Sequence, residues 1–183
     1  MANGVIVESR IQATNIDALN RTAQTESTDV AGGGLVALAP SGTQGNEVWT
    51  ATTPSDTLTG LWIAYNPAEH LTKVGDKLFA GLSEDPRDYV NIGGRPFDVF
   101  KPQIGDEIVI TEDCVDASVS SAVAGDILES KASQTTFARI AAGTGATANH
   151  TAFKIEWVGT LPFPQGGIGM EQVKAFRCVC IQE

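Results

Sequence analysis

Hydrophobic residues in this chain recur mainly at every second position and in short runs, which is the periodicity of β-strands. The clearest case follows a turn at residues 102–105. In Glu107–Thr111, Ile108 and Ile110 point one way while Glu107, Val109 and Thr111 point the other. Residues 153–158 alternate as cleanly, with Phe153, Ile155 and Trp157 expected inward and Lys154 and Glu156 toward water. Shorter candidates are Leu35–Ala39, closed by a turn at residues 40–42, and residues 47–51, 61–65, 77–82, 97–100, 126–129 and 136–140. The last run, residues 173–181, is apolar on both faces: Phe176, Cys178 and Cys180 on one, Val173, Ala175, Val179 and Ile181 on the other. Such a strand is central in its sheet or covered by a partner. Residues 161–169 are interrupted by Pro162, Pro164 and glycines, and are expected to be an irregular connection. Many short strands separated by Gly/Pro turns, with no long helical pattern, predict an all-β barrel or sandwich.

Two of these strands begin alike. Val74-Gly-Asp-Lys-Leu and Ile104-Gly-Asp-Glu-Ile each place a Gly-Asp pair at a turn that runs straight into a strand. Residues 83–89 form a polar loop with a proline turn, 117–125 are rich in small residues, and 141–149 have the low complexity of a flexible surface loop.

Residues 1–33 differ from the rest. Val5 and Val7 alternate with Ile6, but the segment then turns polar, from Gln12 to Asp29. Thr14-x-x-Asp17 resembles a capping box, with Ile16, Leu19 and Ala23 on one helical face and Asp17 and Arg21 four apart. A helix this short is marginal unless it docks on something. Gly32–34 then reads as a flexible break. The expected organisation is an N-terminal arm, 1–33, that is either a partner-binding element or a loose tail, and a β-rich body, 34–183, with room for a small outward-facing subdomain.

Charge narrows the function. Twelve Lys and Arg against 22 Asp and Glu give a formal charge of −10 and a pI near 4.6. The basic stripe that phosphate binding requires is missing, so direct nucleic-acid binding is disfavoured, as is attraction to anionic membranes. No apolar run approaches the roughly 20 residues that span a bilayer. Met1 to Arg10 lacks a charged segment followed by an apolar core, and three cysteines make no disulfide framework. Cytosolic synthesis with reduced thiols is the expectation.

Candidate chemistry is thin. His70 and His150 are the two histidines, and neither lies in a nucleophile motif. Cys178 and Cys180 share a strand face, but with only Cys114 and the histidines to add they read as small core residues rather than zinc ligands. The acidic groups Glu84, Asp85, Asp88 and Glu112, Asp113, Asp116 lack calcium-loop spacing and read as solvated loops. Gly32–34 and the glycines of 166–169 lack the strand-before, helix-after setting of phosphate loops. Trp49, Trp62 and Trp157 could form a sugar-binding platform. Core packing is expected for Trp157, and an exposed interface for Trp62, whose neighbours Leu61, Ile63 and Tyr65 already supply a core face.

The polar N-terminal arm, the glycine-marked strand at residues 34–38 and the Gly-Asp-headed strands at 74–78 and 104–110 together resemble the head decoration (capsid-stabilising, or cement) proteins of tailed bacteriophages. That resemblance implies an all-β, compact barrel or sandwich, β-tulip-like, with an extended N-terminal arm and long irregular loops. It implies a virion protein on the outer capsid surface that stabilises contacts between capsomers of the major capsid protein. The expected state is a homotrimer at three-fold and quasi-three-fold positions. It implies no enzymatic activity, cofactor or metal. The residues expected at the capsid or subunit interface are Ile6, Ile11, Ile16, Leu19 and Trp62, and the arm strand would add to a capsid sheet edge. A different viral or surface structural role, such as a head-fibre base, or a carbohydrate-binding module remains the alternative.

Overall fold

The computed structural model describes residues 3–40, 47–74, 77–81, 83–116, 120–165 and 169–183. Its strands are β1 (Ile6–Arg10), β2 (Asn20–Gln24), β3 (Leu35–Ala39), β4 (Val48–Thr52), β5 (Trp62–Ala64), β6 (Leu71–Val74) and β7 (Lys77–Ala80). They continue with β8 (Pro96–Phe100), β9 (Glu107–Thr111), β10 (Ile127–Glu129), β11 (Ala138–Ile140), β12 (Ala152–Gln165) and β13 (Gly169–Gln182). The fold is all-β, as the alternation predicts, and helical structure among the described residues is confined to short 3-10 turns. Strands β2-β4-β3-β5-β8 close a barrel. A six-stranded sheet has the order β1-β9-β13-β12-β10-β11, and β6 and β7 pair as a separate hairpin.

Strand alternation divides the apolar residues of the barrel between two cores. Ala23, Val36, Ala51, Ala64, Phe97 and Val99 cluster in its interior. Leu35, Ile63 and Phe100, at the intervening positions, pack outward against Ile6, Ile108, Ile110, Phe153, Ile155, Phe176 and Cys178 of the large sheet. One sheet thus wraps the outer wall of a small barrel, and neither layer has a complete core without the other. Strand β13 lies between β12 and β9 in the large sheet, as expected of a central strand; Phe176, Cys178 and Cys180 are buried, while the opposite face is partly open, with Arg177 and Ile181 exposed.

The Gly-Asp device recurs at two described places. Gly105 and Gly125 both adopt positive φ, +94° and +97°, and their N–H groups donate to a neighbouring strand at the carbonyls of Cys180 (2.9 Å) and Ile155 (2.8 Å). In return Cys180 N–H donates to Asp106 O and Ile155 N–H to Asp126 O, each at 2.8 Å. Each carboxylate then folds back onto the turn: Gln103 N–H donates to Asp106 Oδ2 at 2.8 Å, and Val123 N–H to Asp126 Oδ2 at 3.0 Å. Each remaining oxygen holds a distant segment, Gln12 N–H at 3.0 Å for Asp106 and Ala142 N–H at 2.9 Å for Asp126. The copy at residues 122–128 has the same sequence signal, Gly125-Asp126, and is found by the same rule; the pair at 75–76 lies outside the described residues.

Several expectations are corrected. The N-terminal segment is no arm. β1 pairs antiparallel with β9 (Ile6 opposite Ile110), and β2 is a barrel stave between β4 and β8. Ile6, Ile11, Ala13 and Ala23 are buried in the two cores. The expected helix is replaced by two 3-10 turns, Gln12–Thr14 and Asp17–Leu19, followed by β2, because ladder bonds on both edges of β2 outweigh one turn of capping preference. Asn66 completes the outer edge of β1: its amide accepts from Ile6 N–H (2.9 Å) and donates to Ile6 O (2.6 Å), as a partner strand would. Gly32–34 is a close-packed crossing rather than a flexible break. Gly33 has φ +75°, and a Cβ there would stand 2.9 Å from the buried Cys114 sulfur.

The end of the chain differs too. β12 continues through Pro162 and Pro164 instead of breaking. The two prolines, two positions apart, turn their missing N–H toward the same edge, and β10 covers that edge only from Ala152 to Lys154. Trp157, expected inward, is 42% exposed. A bulge between Ile155 and Trp157 inserts one residue: Ile155 faces Cys178, but Trp157 faces Arg177, so Val158 takes the inward position opposite Phe176. The ring lies over Gly159, where any side chain would collide with it.

Candidate functional site

Three surfaces combine chemistry with access. The first is a cleft of about 1060 Å³ along the outer wall of β2 and β8, walled on its other side by residues 65–71 and 90–92. At one end it reaches the barrel mouth. The strand directions put the starts of β2, β4 and β5 at the same end of the barrel. Arg21, Trp49 and Trp62 therefore converge there from barrel-lining positions. The Arg21 guanidinium carbon lies 5.7 Å from the Trp49 ring centre and 5.8 Å from that of Trp62. Arg21 Nη1 donates to Asn20 O at 2.8 Å, and among the described residues no carboxylate comes within 4 Å of the guanidinium. Further along, Thr22 donates to Asp98 Oδ1 at 3.0 Å, and Arg95 pairs with Glu69 at 3.0 Å across exposed surface. Tyr65, whose ring packs tilted against Phe100, donates its hydroxyl to Asn20 Oδ1 at 2.9 Å and fixes the cleft floor.

The second surface is the β6–β7 hairpin. Among the described residues it pairs with no other strand, and Leu78 and Phe79 on β7 are 40% and 42% exposed. His70 at its base stacks on Tyr89 with ring centres 4.5 Å apart.

The third is the flank of the long β12–β13 hairpin, where Arg87 acts as a clamp. Asp85, expected in a solvated loop, is buried with Arg87: its carboxylate takes Arg87 N–H at 2.9 Å and Arg87 Nη2 at 2.6 Å. Burial alone would raise the Asp85 carboxyl, but the Arg87 side chain and N–H outweigh it and hold it below the ordinary carboxylate range. The same guanidinium pairs with Glu171 on β13 and lies 5.2 Å over Phe163 on β12, while Arg87 O accepts from Asn3 N–H at 2.9 Å. One residue thereby joins the N-terminal segment, through its carbonyl, to the loop before β8 and both strands of the hairpin, through its guanidinium. Nothing in the local sequence marked Arg87; its partner Glu171 is 84 residues away.

Of the expected interface residues, Ile6 and Ile11 lie in the chain's own core and are unavailable to a partner. Ile16 is exposed, Leu19 packs partly against the main core, and Trp62 is half-buried against the barrel interior. The structure brings both Trp49 and Trp62 to the Arg21 guanidinium, places Trp49 in the cleft lining and leaves Trp157 outside the cleft. The three thiols are free and buried; burial first, then local contacts, leaves those of Cys114 and Cys180 pushed up to about 12, and burial also raises Cys178. His150 Nδ1 lies 2.7 Å from Ser130 O, beside Glu129, whose carboxylate accepts the Thr147 N–H and hydroxyl at 2.9 Å each. Among the described residues no group of three or more His, Cys, Asp and Glu could hold a metal ion, and no helix is long and apolar enough to cross a membrane.

These features define the class: an all-β protein, a closed five-stranded barrel wrapped by a six-stranded sheet, with projecting hairpins. A scan against models of known families finds no match, and neither do searches of the curated proteins and the solved structures.

Proposed function

We propose that the chain is a structural virion protein that binds the outer surface of a phage capsid and stabilises contacts between capsomers of the major capsid protein. The observation that carries this reading is the β6–β7 hairpin, which among the described residues pairs with neither sheet and has Leu78 and Phe79 40% and 42% exposed. Apolar side chains exposed on the strand of a lone hairpin are covered at no cost in core packing when a partner surface receives them. The resemblance to head decoration proteins names that partner. The shared core of barrel and sheet supports the same role, because two layers packed on one core can transmit load between the subunits they bridge. Each copy contributes modest affinity, and many copies at capsomer junctions act together against the pressure of packaged DNA. Attachment through an N-terminal strand is not part of this proposal, since β1 is already paired with β9. Ile16 and the hairpin are the apolar contacts offered instead, in a homotrimer at three-fold and quasi-three-fold positions.

The test is density-gradient sedimentation of native particles with quantification of this chain in each fraction. Co-migration with a dominant shell protein in fixed ratio is expected, and a Leu78→Ser/Phe79→Ser variant should lose occupancy while keeping its thermal midpoint. Recovery of the wild-type chain only at the top of the gradient would overturn the proposal.

A further inference from the structure

The cleft beside the barrel mouth is not used by capsid attachment through Leu78 and Phe79 of β7, and its chemistry points to a different ligand. Its lining alternates aromatic surface with fixed donors and acceptors: Trp49 beside Arg21 at the mouth, then Asn20, Thr22 and Asp98 along β2 and β8. The floor is preset. Asn20 is held on both sides, its Nδ2 donating to Ala13 O at 2.7 Å and its Oδ1 accepting from Tyr65, so it does not have to reorganise for a ligand. Arg21 is held against two indole rings and, among the described residues, makes one hydrogen bond, to Asn20 O; a guanidinium has five donors, so several remain for an incoming group. Asp98 Oδ1 takes the Thr22 hydroxyl, and its side chain is on exposed surface where the other oxygen can accept.

Charge selects among ligands. Three carboxylates (Glu47, Glu69, Asp98) against two guanidiniums (Arg21, Arg95) line the cleft, in a chain of net charge −10. Nucleotides and polyanionic chains are repelled. A neutral polyhydroxylated ring fits both halves of the lining. Its C–H face stacks on an indole, and its vicinal hydroxyls donate to carboxylates and accept from a guanidinium. The volume, about 1060 Å³, accommodates several pyranose rings in an open groove.

We propose that this cleft is a binding site for a neutral glycan, with one pyranose ring on Trp49 bonded by Arg21 at the mouth and the hydroxyls of a further ring bonded by Asp98 along the cleft. A surface protein carrying both a docking hairpin and this cleft would tether its assembly to a saccharide-coated surface.

The experiment is titration of the full-length protein with neutral oligosaccharides built from hexose and N-acetylhexosamine units, alongside uronate-containing chains of the same length. Binding is read by calorimetry and by tryptophan fluorescence. Saturable binding of at least one neutral series is expected, with uronate chains at least tenfold weaker. Trp49→Ala should weaken binding at least tenfold. Because Trp49 is half-buried, the exposed Asp98→Ala serves as the second variant, expected to weaken binding several-fold with an unchanged circular dichroism spectrum. Trp157→Ala, on the sheet away from the cleft, should bind as wild type. No binding by any neutral series at millimolar concentration would overturn the proposal. So would binding that survives Trp49→Ala and Asp98→Ala but is lost in Trp157→Ala.

Discussion

Removing the Asp126 carboxylate tests whether the Gly-Asp turns hold the large sheet together. The side chain is 1% exposed and accepts three bonds: Val123 N–H at 3.0 Å, Ala142 N–H at 2.9 Å and Arg139 Nε at 2.6 Å. Asp126→Ala leaves two backbone donors and a guanidinium facing an empty site. Each orphaned buried donor costs roughly 1–3 kcal/mol, and removing one partner of a buried ion pair about 3–5 kcal/mol. These penalties overlap, because one entering water can serve more than one donor, so a loss of about 3–5 kcal/mol is expected. Asp106 supplies an internal control. Its carboxylate accepts two backbone N–H bonds in the same geometry and has no cation partner among the described residues, so Asp106→Ala should cost less, about 2–4 kcal/mol. Urea unfolding at pH 7 measures both.

The pH dependence supplies the sign. Burial would raise the Asp126 carboxyl, but the bonds from Val123, Arg139 and Ala142 hold it below its ordinary value. The folded protein therefore binds fewer protons at this site than the unfolded chain. Its contribution is complete above the unfolded carboxyl value of about 4 and is lost as pH falls through the folded value. The gap between wild type and Asp126→Asn should be widest near neutrality and narrow on acidification below about pH 4. A loss under about 1 kcal/mol for Asp126→Ala, or a wild-type-to-Asn gap that stays constant on acidification, would refute the reasoning.

Three further outcomes follow from the same structure. Deleting residues 1–30 should abolish cooperative unfolding and amide dispersion, since it removes a barrel stave and the sheet edge β1; a folded truncated body would restore the arm. Gly33→Ala, at φ +75° against the Cys114 sulfur, should cost about 2–4 kcal/mol, whereas Gly60→Ala, at φ +65° with open space around it, should cost only about 1 kcal/mol in thermal or urea unfolding. The three thiols, buried and held in protonated form, should react with a thiol-specific chromogenic reagent at pH 8 only as fast as the protein opens; an immediate burst from any of them would show that its cover is missing.

Alternation in the sequence located most strands and the all-β class, because a half-buried strand imposes period two on side chains wherever it pairs. It succeeded at Ile108 and Ile110, at Phe153 and Ile155, and at Phe176, Cys178 and Cys180, all of them buried. The Gly-Asp signal was likewise local, since positive φ and a carboxylate returning to its own turn are properties of a few adjacent residues. What failed depended on neighbours remote in sequence. Polar residues 20–24 became a barrel stave because β4 and β8 were there to pair with them. Pro162 and Pro164 were tolerated because the edge they face is open, and Trp157 turned outward because one bulge reversed the phase. The cleft and the Arg87 clamp unite residues separated by 28 and 84 positions, Arg21 with Trp49 and Arg87 with Glu171. No local periodicity encodes such pairs; the closure of the barrel and the length of the hairpin bring them together.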